Sequence, residues 1–101
     1  MRYKRRDKNT DSIKAAIQKC GFQYIDMHNA GAGFPDCVAV RQFGSLWCSV
    51  PIEIKGKNGK LTSDQKLFDK KYPGLNHLCR TGEDVERILK EYEKRFMSKK
   101  L

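Results

Sequence analysis

Two acidic residues and one lysine stand at the ends of two neighbouring apolar stretches of this chain. Asp36 precedes the run Cys37 to Arg41, whereas Glu53 and Lys55 end the run that begins at Leu46. Because alternate residues of a strand share a face, Glu53 and Lys55 are expected to point the same way. If the two runs pair, Asp36 lies near Glu53 at one edge of a small sheet. Two carboxylates suit a hard divalent cation, and the lysine suits a phosphate that gains charge in a transition state.

Each of these residues also has an ordinary structural explanation. Asp36 follows Pro35, and aspartate next to proline is common in turns. Glu53 and Lys55 are spaced to form a surface ion pair, which contributes little to stability. It is the ordered set of all three residues, inside the expected run of elements, that favours a chemical role.

Pro35-Asp36 followed by Glu53-Ile54-Lys55 resembles the signature of the PD-(D/E)xK nucleases. Two flanking segments are similar to one branch of that superfamily, the virus-type replication-repair nuclease (VRR-NUC) domains. The first segment is the glycine-rich approach to the acid, residues 29–36, and the second is the stretch after the lysine, residues 59–65. The resemblance extends over residues 10–90, which is nearly the whole chain.

This resemblance implies a fold, an activity and a set of metal ligands. The implied fold is a restriction-endonuclease-like α/β core of order αβββαβ, a small mixed sheet flanked by helices, here with a C-terminal helix. The implied activity is hydrolysis of DNA phosphodiester bonds with Mg2+, for which Mn2+ substitutes. The implied ligands are Asp36, Glu53 and the backbone carbonyl of Ile54, while Lys55 orients the attacking water or offsets phosphate charge.

Two further residues are matched to the family pattern less directly. Gln65 resembles a helix glutamine that lies beside the active centre in these nucleases. Thr62 to Gln65 also fits a capping box, in which the Gln65 side chain bonds back to the Thr62 backbone, and both roles stay open. The family's extra glutamate ligand on the first helix is missing here. Asp11 is the nearest candidate, although we favour its alternative as a helix N-terminal acid stabilised by the dipole.

The charge of the chain favours a polyanionic partner. The formal net charge is +9, with 21 Lys and Arg against 12 Asp and Glu. Release of counterions from DNA rewards a basic surface of this kind. We expect the loop residues Lys57, Asn58 and Lys60, together with Arg41, to contact DNA phosphates. The alternative is that these charges are simply solvated.

Periodicity predicts the order helix, three strands, helix, strand, helix. The strands are predicted at residues 22–28, 37–41, 46–55 and 75–80. The helices are predicted from Asn9 to Cys20, from Ser63 to Lys71 and from Thr81 onward. The continuous apolar character of the second strand indicates burial on both faces, and Pro51 indicates an edge or a bulge in the third. Tyr24, Trp47 and Phe68 are expected in the core.

The length of 101 residues fits one domain with a modest core. We predict a flexible basic segment at residues 1–9 and a single domain at residues 10–101. The chain has neither a signal peptide pattern nor a membrane-spanning stretch, so an intracellular, cytoplasmic protein is expected. The cysteines lie in apolar segments without zinc-ligand spacing, which indicates buried free thiols: Cys20, Cys37, Cys48 and Cys79.

Three classes of function remain open from the sequence. The first is a structure-selective DNA endonuclease similar to Holliday junction resolvases, the second is a non-catalytic nucleic-acid-binding domain, and the third is an interaction protein whose basic face meets an acidic partner. Two symmetric cuts in a four-way junction require two sites, which a homodimer supplies most simply. Tyr92, Phe96 and a free sheet edge are candidate dimer surfaces, unless the two aromatic side chains close the monomer core.

Overall fold

The computed structural model describes residues 8–98 as a four-stranded mixed sheet with three helices. The elements, in chain order, are α1 (Thr10–Lys19), β1 (Gln23–Asp26), β2 (Cys37–Phe43), β3 (Leu46–Ile54), α2 (Ser63–Lys71), β4 (His77–Cys79) and α3 (Gly82–Met97). This is the order that periodicity predicts. Most of the predicted flexible segment 1–9 lies outside the described residues. Within residues 8–98, no helix combines the length and the apolar character needed to span a membrane.

The sheet has the strand order β1-β2-β3-β4. β1 and β3 both pair antiparallel with β2, whereas β4 pairs parallel with β3. The β2–β3 hairpin runs from the pair Cys37–Ile52 to the pair Phe43–Leu46, and a two-residue turn at Gly44-Ser45 closes it. Gly44 has φ of 61°, the positive value that such short turns require. The second strand therefore continues two residues beyond the predicted end at Arg41, because the turn needs only two residues.

Helices α1 and α3 pack together on one face of the sheet. The shared core contains the alternate side chains of β2 and β3 and the apolar stripes of both helices, among them Ile13, Ile17, Ile52, Val85 and Leu89. The other alternate residues of β2, Val38 and Val40, are only half-buried. The prediction of a second strand buried on both faces is therefore wrong, since the helical layer covers one face.

Trp47 corrects another expectation. It lies near the start of β3 on the face opposite the helical layer and remains 59% exposed. Tyr24 packs partly buried against the core, and Phe68 is half-buried against other aromatic rings, Phe34 and Tyr72.

Pro51 shows how β3 changes from an edge strand to an internal one. Its register with Val38 continues without a bulge, and the β4 pairing begins one residue later, at Ile52–His77. The Pro51 carbonyl lies 3.2 Å from Nδ1 of His77, on the β4 side. A residue's N–H and C=O share one side of a strand, so the missing N–H faces the stretch where β4 has not begun. Pro51 thus lies where β3 pairs on one side only, without a bulge, although β3 as a whole is an internal strand.

The C-terminal helix closes the monomer core with aromatic side chains. Phe96 stacks against Phe43 with ring centroids 5.3 Å apart, and Tyr92 contacts the ring of His77 and lies 3.1 Å from its Nε2. Both helical side chains pack against the core cluster. They are therefore not the free dimer surface that their apolar character suggests.

The four cysteines are free thiols, as predicted. Cys37, Cys48 and Cys79 are buried, while Cys20 is half-buried at the end of α1. Burial disfavours the thiolate and raises the pKa of Cys37 and of Cys79 to about 12. These thiols act as small core side chains.

Candidate active site

Asp36 is held at the open end of the β2–β3 hairpin. The register that pairs Cys37 with Ile52, continued by one residue, sets Asp36 opposite Glu53. The backbone N–H of Ile54 donates a hydrogen bond of 2.8 Å to Oδ2 of Asp36. Because the N–H and C=O of one strand residue point to the same side, we expect the Ile54 carbonyl to face this edge as well.

Glu53 is the single fully buried charged side chain among residues 8–98, with 1% exposure. Its Oε2 accepts a hydrogen bond of 2.8 Å from Nε2 of Gln65 and lies 3.8 Å from Nζ of Lys55. The Lys55 side chain is itself only 13% exposed. A buried carboxylate is costly unless charge and hydrogen bonds compensate it, and these two residues provide both.

Gln65 completes the predicted capping box and also contacts Glu53. Its Oε1 accepts a hydrogen bond of 2.8 Å from the Thr62 backbone, and its own N–H donates to Oγ1 of Thr62 at 3.2 Å, which completes the capping box of α2. The opposite end of the same amide reaches Glu53. The helix cap therefore orients the amide that contacts the buried carboxylate.

The glycine-rich loop between β1 and β2 packs directly on the beginning of α2. Gly33 has φ of 75°, and a Cβ there would lie 2.2 Å from the carbonyl oxygen of Asp64. Only glycine permits this contact between two backbones. Pro35, between this contact and Asp36, is fully buried. The loop thus fixes Asp36 and α2 relative to each other.

The loop after β3 is held by two residues from distant parts of the chain. Arg80 donates from Nη1 to the carbonyl of Gly56 and, at 3.3 Å, to that of Lys57. Asn9 donates from Nδ2 to the carbonyls of Lys55 at 3.0 Å and Arg80 at 2.6 Å. Neither residue is identifiable from the sequence, because the two are 71 positions apart and nothing local marks the contact.

His28 is a further site residue that the family motif does not identify. Its Nδ1 lies 3.8 Å from Oδ1 of Asp36, its side chain is 10% exposed, and its backbone N–H donates to Asp26. In the sequence, only its position just before the glycine-rich loop indicates that His28 lies near Asp36. A histidine there could belong equally well to a turn.

These elements enclose a cavity of about 510 Å3. Its lining contains all four predicted catalytic residues, and the full set is His28, Gly31, Ala32, Gly33, Asp36, Glu53, Lys55, Thr62, Asp64 and Gln65. Three carboxylates face one ammonium group, so the cavity is acidic within a protein of net charge +9. An acidic cavity on a basic protein suits a cation that sits between the protein and a polyanion.

Two predicted site residues lie elsewhere. Asp11 is exposed in the first turn of α1 and does not line the cavity, which agrees with its alternative as a helix N-terminal acid. Arg41 lies on the core face of β2, where it donates to Glu93 at 2.6 Å and to the Cys20 carbonyl at 3.1 Å. Strand alternation turns Arg41 away from Asp36 and toward the helices, so it lies apart from the cavity, and its contact with phosphate stays a prediction.

The basic loop after β3 is accessible to a DNA backbone. Lys57, Asn58 and Lys60 are exposed and follow Lys55 directly along the chain. Their contact with DNA stays a prediction.

Within residues 8–98, no group of three or more His, Cys, Asp or Glu side chains is arranged to hold a metal ion. The predicted site has only two carboxylates and one backbone carbonyl, so it does not form such a group. Mg2+ is commonly bound by one or two carboxylates, because waters and phosphate oxygens complete its coordination. No protein-family model matches the chain, and no similar curated protein or solved structure was found.

Proposed function

We propose that the protein is a metal-dependent nuclease that hydrolyses phosphodiester bonds in DNA. The observation that carries the proposal is the meeting of Asp36, Glu53, Lys55 and Gln65 at one acidic cavity. These residues come from a loop, a strand end and a helix. Lys55 and Gln65 compensate the buried Glu53 carboxylate, but that structural role does not require a second carboxylate, Asp36, at the same cavity. The net charge of +9 supports a nucleic acid as the substrate.

The donor atoms fit a hard divalent cation. Asp36 and Glu53 provide carboxylate oxygens, and the Ile54 carbonyl is expected at the same edge. These residues would hold Mg2+ or Mn2+, which when bound supplies Lewis acidity toward the phosphate and lowers the pKa of a coordinated water. The cavity has three carboxylates and one ammonium group, and this excess of negative charge is the physical reason to expect a cation there.

The remaining residues position atoms and offset charge. Lys55, whose Nζ is 3.8 Å from Glu53, brings a cation to where a phosphate gains negative charge and where an attacking water needs a hydrogen-bond partner. Gln65 holds the Glu53 carboxylate in one orientation. The Ile54 N–H does the same for Asp36.

We assign the fold to the PD-(D/E)xK type. The element order αβββαβ with an added C-terminal helix supports this assignment, as does the mixed sheet of order β1-β2-β3-β4. The position of Asp36 and Glu53, opposite each other at the open end of the β2–β3 hairpin, also supports it.

The proposal extends to branched DNA and to a twofold dimer. Tyr92 and Phe96 no longer support the dimer, because they pack within the monomer. The remaining candidate surface is β1, which forms one edge of the sheet. Light scattering measures the oligomeric state, and nick mapping on an end-labelled four-way junction measures the symmetry of the cuts.

Cleavage of plasmid and four-way junction DNA tests the activity. We expect cutting with Mg2+ or Mn2+, none with a chelator, and a loss of more than about a hundredfold in Asp36→Asn and Glu53→Gln. These isosteric changes keep an acceptor for the Ile54 N–H and a partner for Gln65, whereas Asp36→Ala would leave the N–H without its acceptor. Calorimetric titration of Mn2+ in the absence of DNA gives a second readout, which both variants should weaken.

A matched control is Asp11→Asn, which removes an exposed acid of α1 and should cut normally. Wild-type protein that binds DNA yet never cuts would favour the non-catalytic binding domain. Normal cutting by either cavity variant would show that the site is misassigned.

A further inference from the structure

A second groove adjoins the acidic cavity. It has a volume of about 600 Å3 and lies between the glycine-rich loop and α2. Gly31, Ala32 and Asp64 line both spaces, so the two lie side by side. A group that enters this groove is therefore next to whatever occupies the acidic cavity.

Aromatic and aliphatic side chains form the wall of this groove. Phe34 contacts Phe68 with ring centroids 5.8 Å apart, and Phe68 contacts Tyr72 at 5.0 Å. Leu67 is 63% exposed, Tyr72 43% and Phe34 36%. α2 has no fully buried residue, so these side chains lie outside the main core. Exposed apolar groups gathered in a concave surface are typical of a binding site.

Positive charge accompanies the apolar wall. Lys71 lines the groove, with its Nζ 5.6 Å from the ring centroid of Tyr72, whereas the acid of the groove, Asp64, lies on the side shared with the acidic cavity. An aromatic surface beside a lysine matches a nucleotide, whose base is flat and whose phosphates are negative. The occupant must also connect covalently to a phosphate in the neighbouring cavity.

We infer that the groove binds an unpaired base of the DNA strand whose phosphate lies in the acidic cavity, an inference that rests on the proposed function. A base within a duplex presents only its edge, because its faces are stacked on neighbouring pairs. Stacking against Tyr72 and Phe34 requires a free face. The preferred substrate is therefore DNA with unpaired nucleotides at the point of cutting, such as a single-stranded flap or a splayed branch.

The experiment measures binding in a chelator, where no cutting occurs, with a short single-stranded oligonucleotide and a duplex of the same sequence. We expect tighter binding of the single strand. An abasic site moved along the strand should weaken binding about fivefold or more at one or two positions. 2-Aminopurine at those positions should lose fluorescence on binding, because the base stacks.

Variants of Tyr72 separate stacking from apolar packing. Tyr72→Phe keeps the ring and should bind as the wild type does, whereas Tyr72→Leu keeps apolar bulk and should lose about fivefold in affinity together with the abasic effect. Trp47→Ala is the matched control, since Trp47 is an exposed aromatic residue at the opposite end of β3 from Glu53. It should leave binding unchanged. Circular dichroism checks that each variant is folded.

The inference is overturned if the abasic site has no effect at any position, or if Tyr72→Leu binds as tightly as Tyr72→Phe. These outcomes are independent of cutting. If the protein cuts DNA with Mg2+ but its binding does not depend on the base, the nuclease proposal stands and the base-binding role of the groove is wrong. If its binding depends on the base but it never cuts, the base-binding role stands and the nuclease proposal is wrong.

Discussion

Gln65 donates a hydrogen bond of 2.8 Å from its Nε2 to Oε2 of Glu53, the buried carboxylate of β3. The Oε1 of the same amide caps α2 through the Thr62 backbone. One side chain therefore links the stability of a helix to the orientation of a candidate metal ligand.

Replacing Gln65 by Ala should affect both properties. We expect a loss of about 1–3 kcal/mol in unfolding free energy, because a cap is lost and a buried carboxylate loses a hydrogen bond. We also expect kcat to fall more than about tenfold with a smaller change in KM, since Gln65 acts through Glu53. Urea unfolding and steady-state cleavage measure the two effects.

The control is Thr81→Ala, which breaks the equivalent capping box of α3, away from the cavity. It should cost about 1 kcal/mol and leave kcat unchanged. If both variants lose activity in proportion to stability, Gln65 acts only as a helix cap.

Lys55 and Lys57 should give different kinetic signatures. Lys55 is 13% exposed and lies within ion-pair distance of Glu53, whereas Lys57 is exposed on the following loop. We expect Lys55→Ala to lower kcat with little change in DNA affinity, the pattern of a contact made in the transition state. Lys57→Ala, like Lys60→Ala, should weaken binding and reduce the slope of log K against log salt by about one. Equal losses of affinity in all three variants would indicate a plain binding surface.

Two glycines of the same loop provide a test of how the loop packs on α2. Gly33→Ala brings a Cβ to 2.2 Å from the Asp64 carbonyl oxygen and also strains a φ of 75°. At Gly31, φ is 76° but nothing lies within 4 Å of an added Cβ. We expect a loss of about 1 kcal/mol for Gly31→Ala from backbone strain alone, and at least about 2–3 kcal/mol for Gly33→Ala. Thermal unfolding of the two variants compares them, and equal losses would contradict the described packing.

Asp84 predicts a dependence of stability on pH. Its carboxylate accepts hydrogen bonds from the backbone N–H groups of Arg80 and Thr81 and lies beside Arg87. The Arg80 bond is the main reason that the pKa of Asp84 is lowered. The stabilisation is fully present above the unfolded pKa of about 3.9 and is lost as the pH falls below it toward the lower folded pKa.

Asp84→Asn should therefore cost about 1 kcal/mol at pH 7 and progressively less at pH 3 and below. Urea titrations at several pH values measure the difference from the wild type. Glu83→Gln, at an exposed acid in the same helical turn, is the control. Its difference from the wild type in unfolding free energy should change less as the pH falls. A constant difference across the acid range would contradict the role of the Asp84 hydrogen bonds.

The local part of this fold was predictable because its signals lie within a few residues. The helices follow apolar stripes such as Ile13, Ala16 and Ile17, and α2 begins and ends at the predicted residues, Ser63 and Lys71. The approach of Asp36 to Glu53 was also predictable, since antiparallel pairing of two adjacent runs leaves few registers that bury the apolar side chains.

Contacts between distant elements were decided only by the tertiary structure. The Arg41 guanidinium contacts Glu93 on α3, 52 residues away, because the helical layer covers the face of β2 to which Arg41 points. For the same reason Trp47, on the other face, stays exposed. Asn9 and Arg80 hold the Lys55 loop by bonds to backbone carbonyls, which any sequence presents, so no pattern in the sequence identified them. Side-chain type and spacing determined the helices, strands and motif residues. Docking of α1 and α3 on one sheet face determined which of the remaining polar residues reach the site.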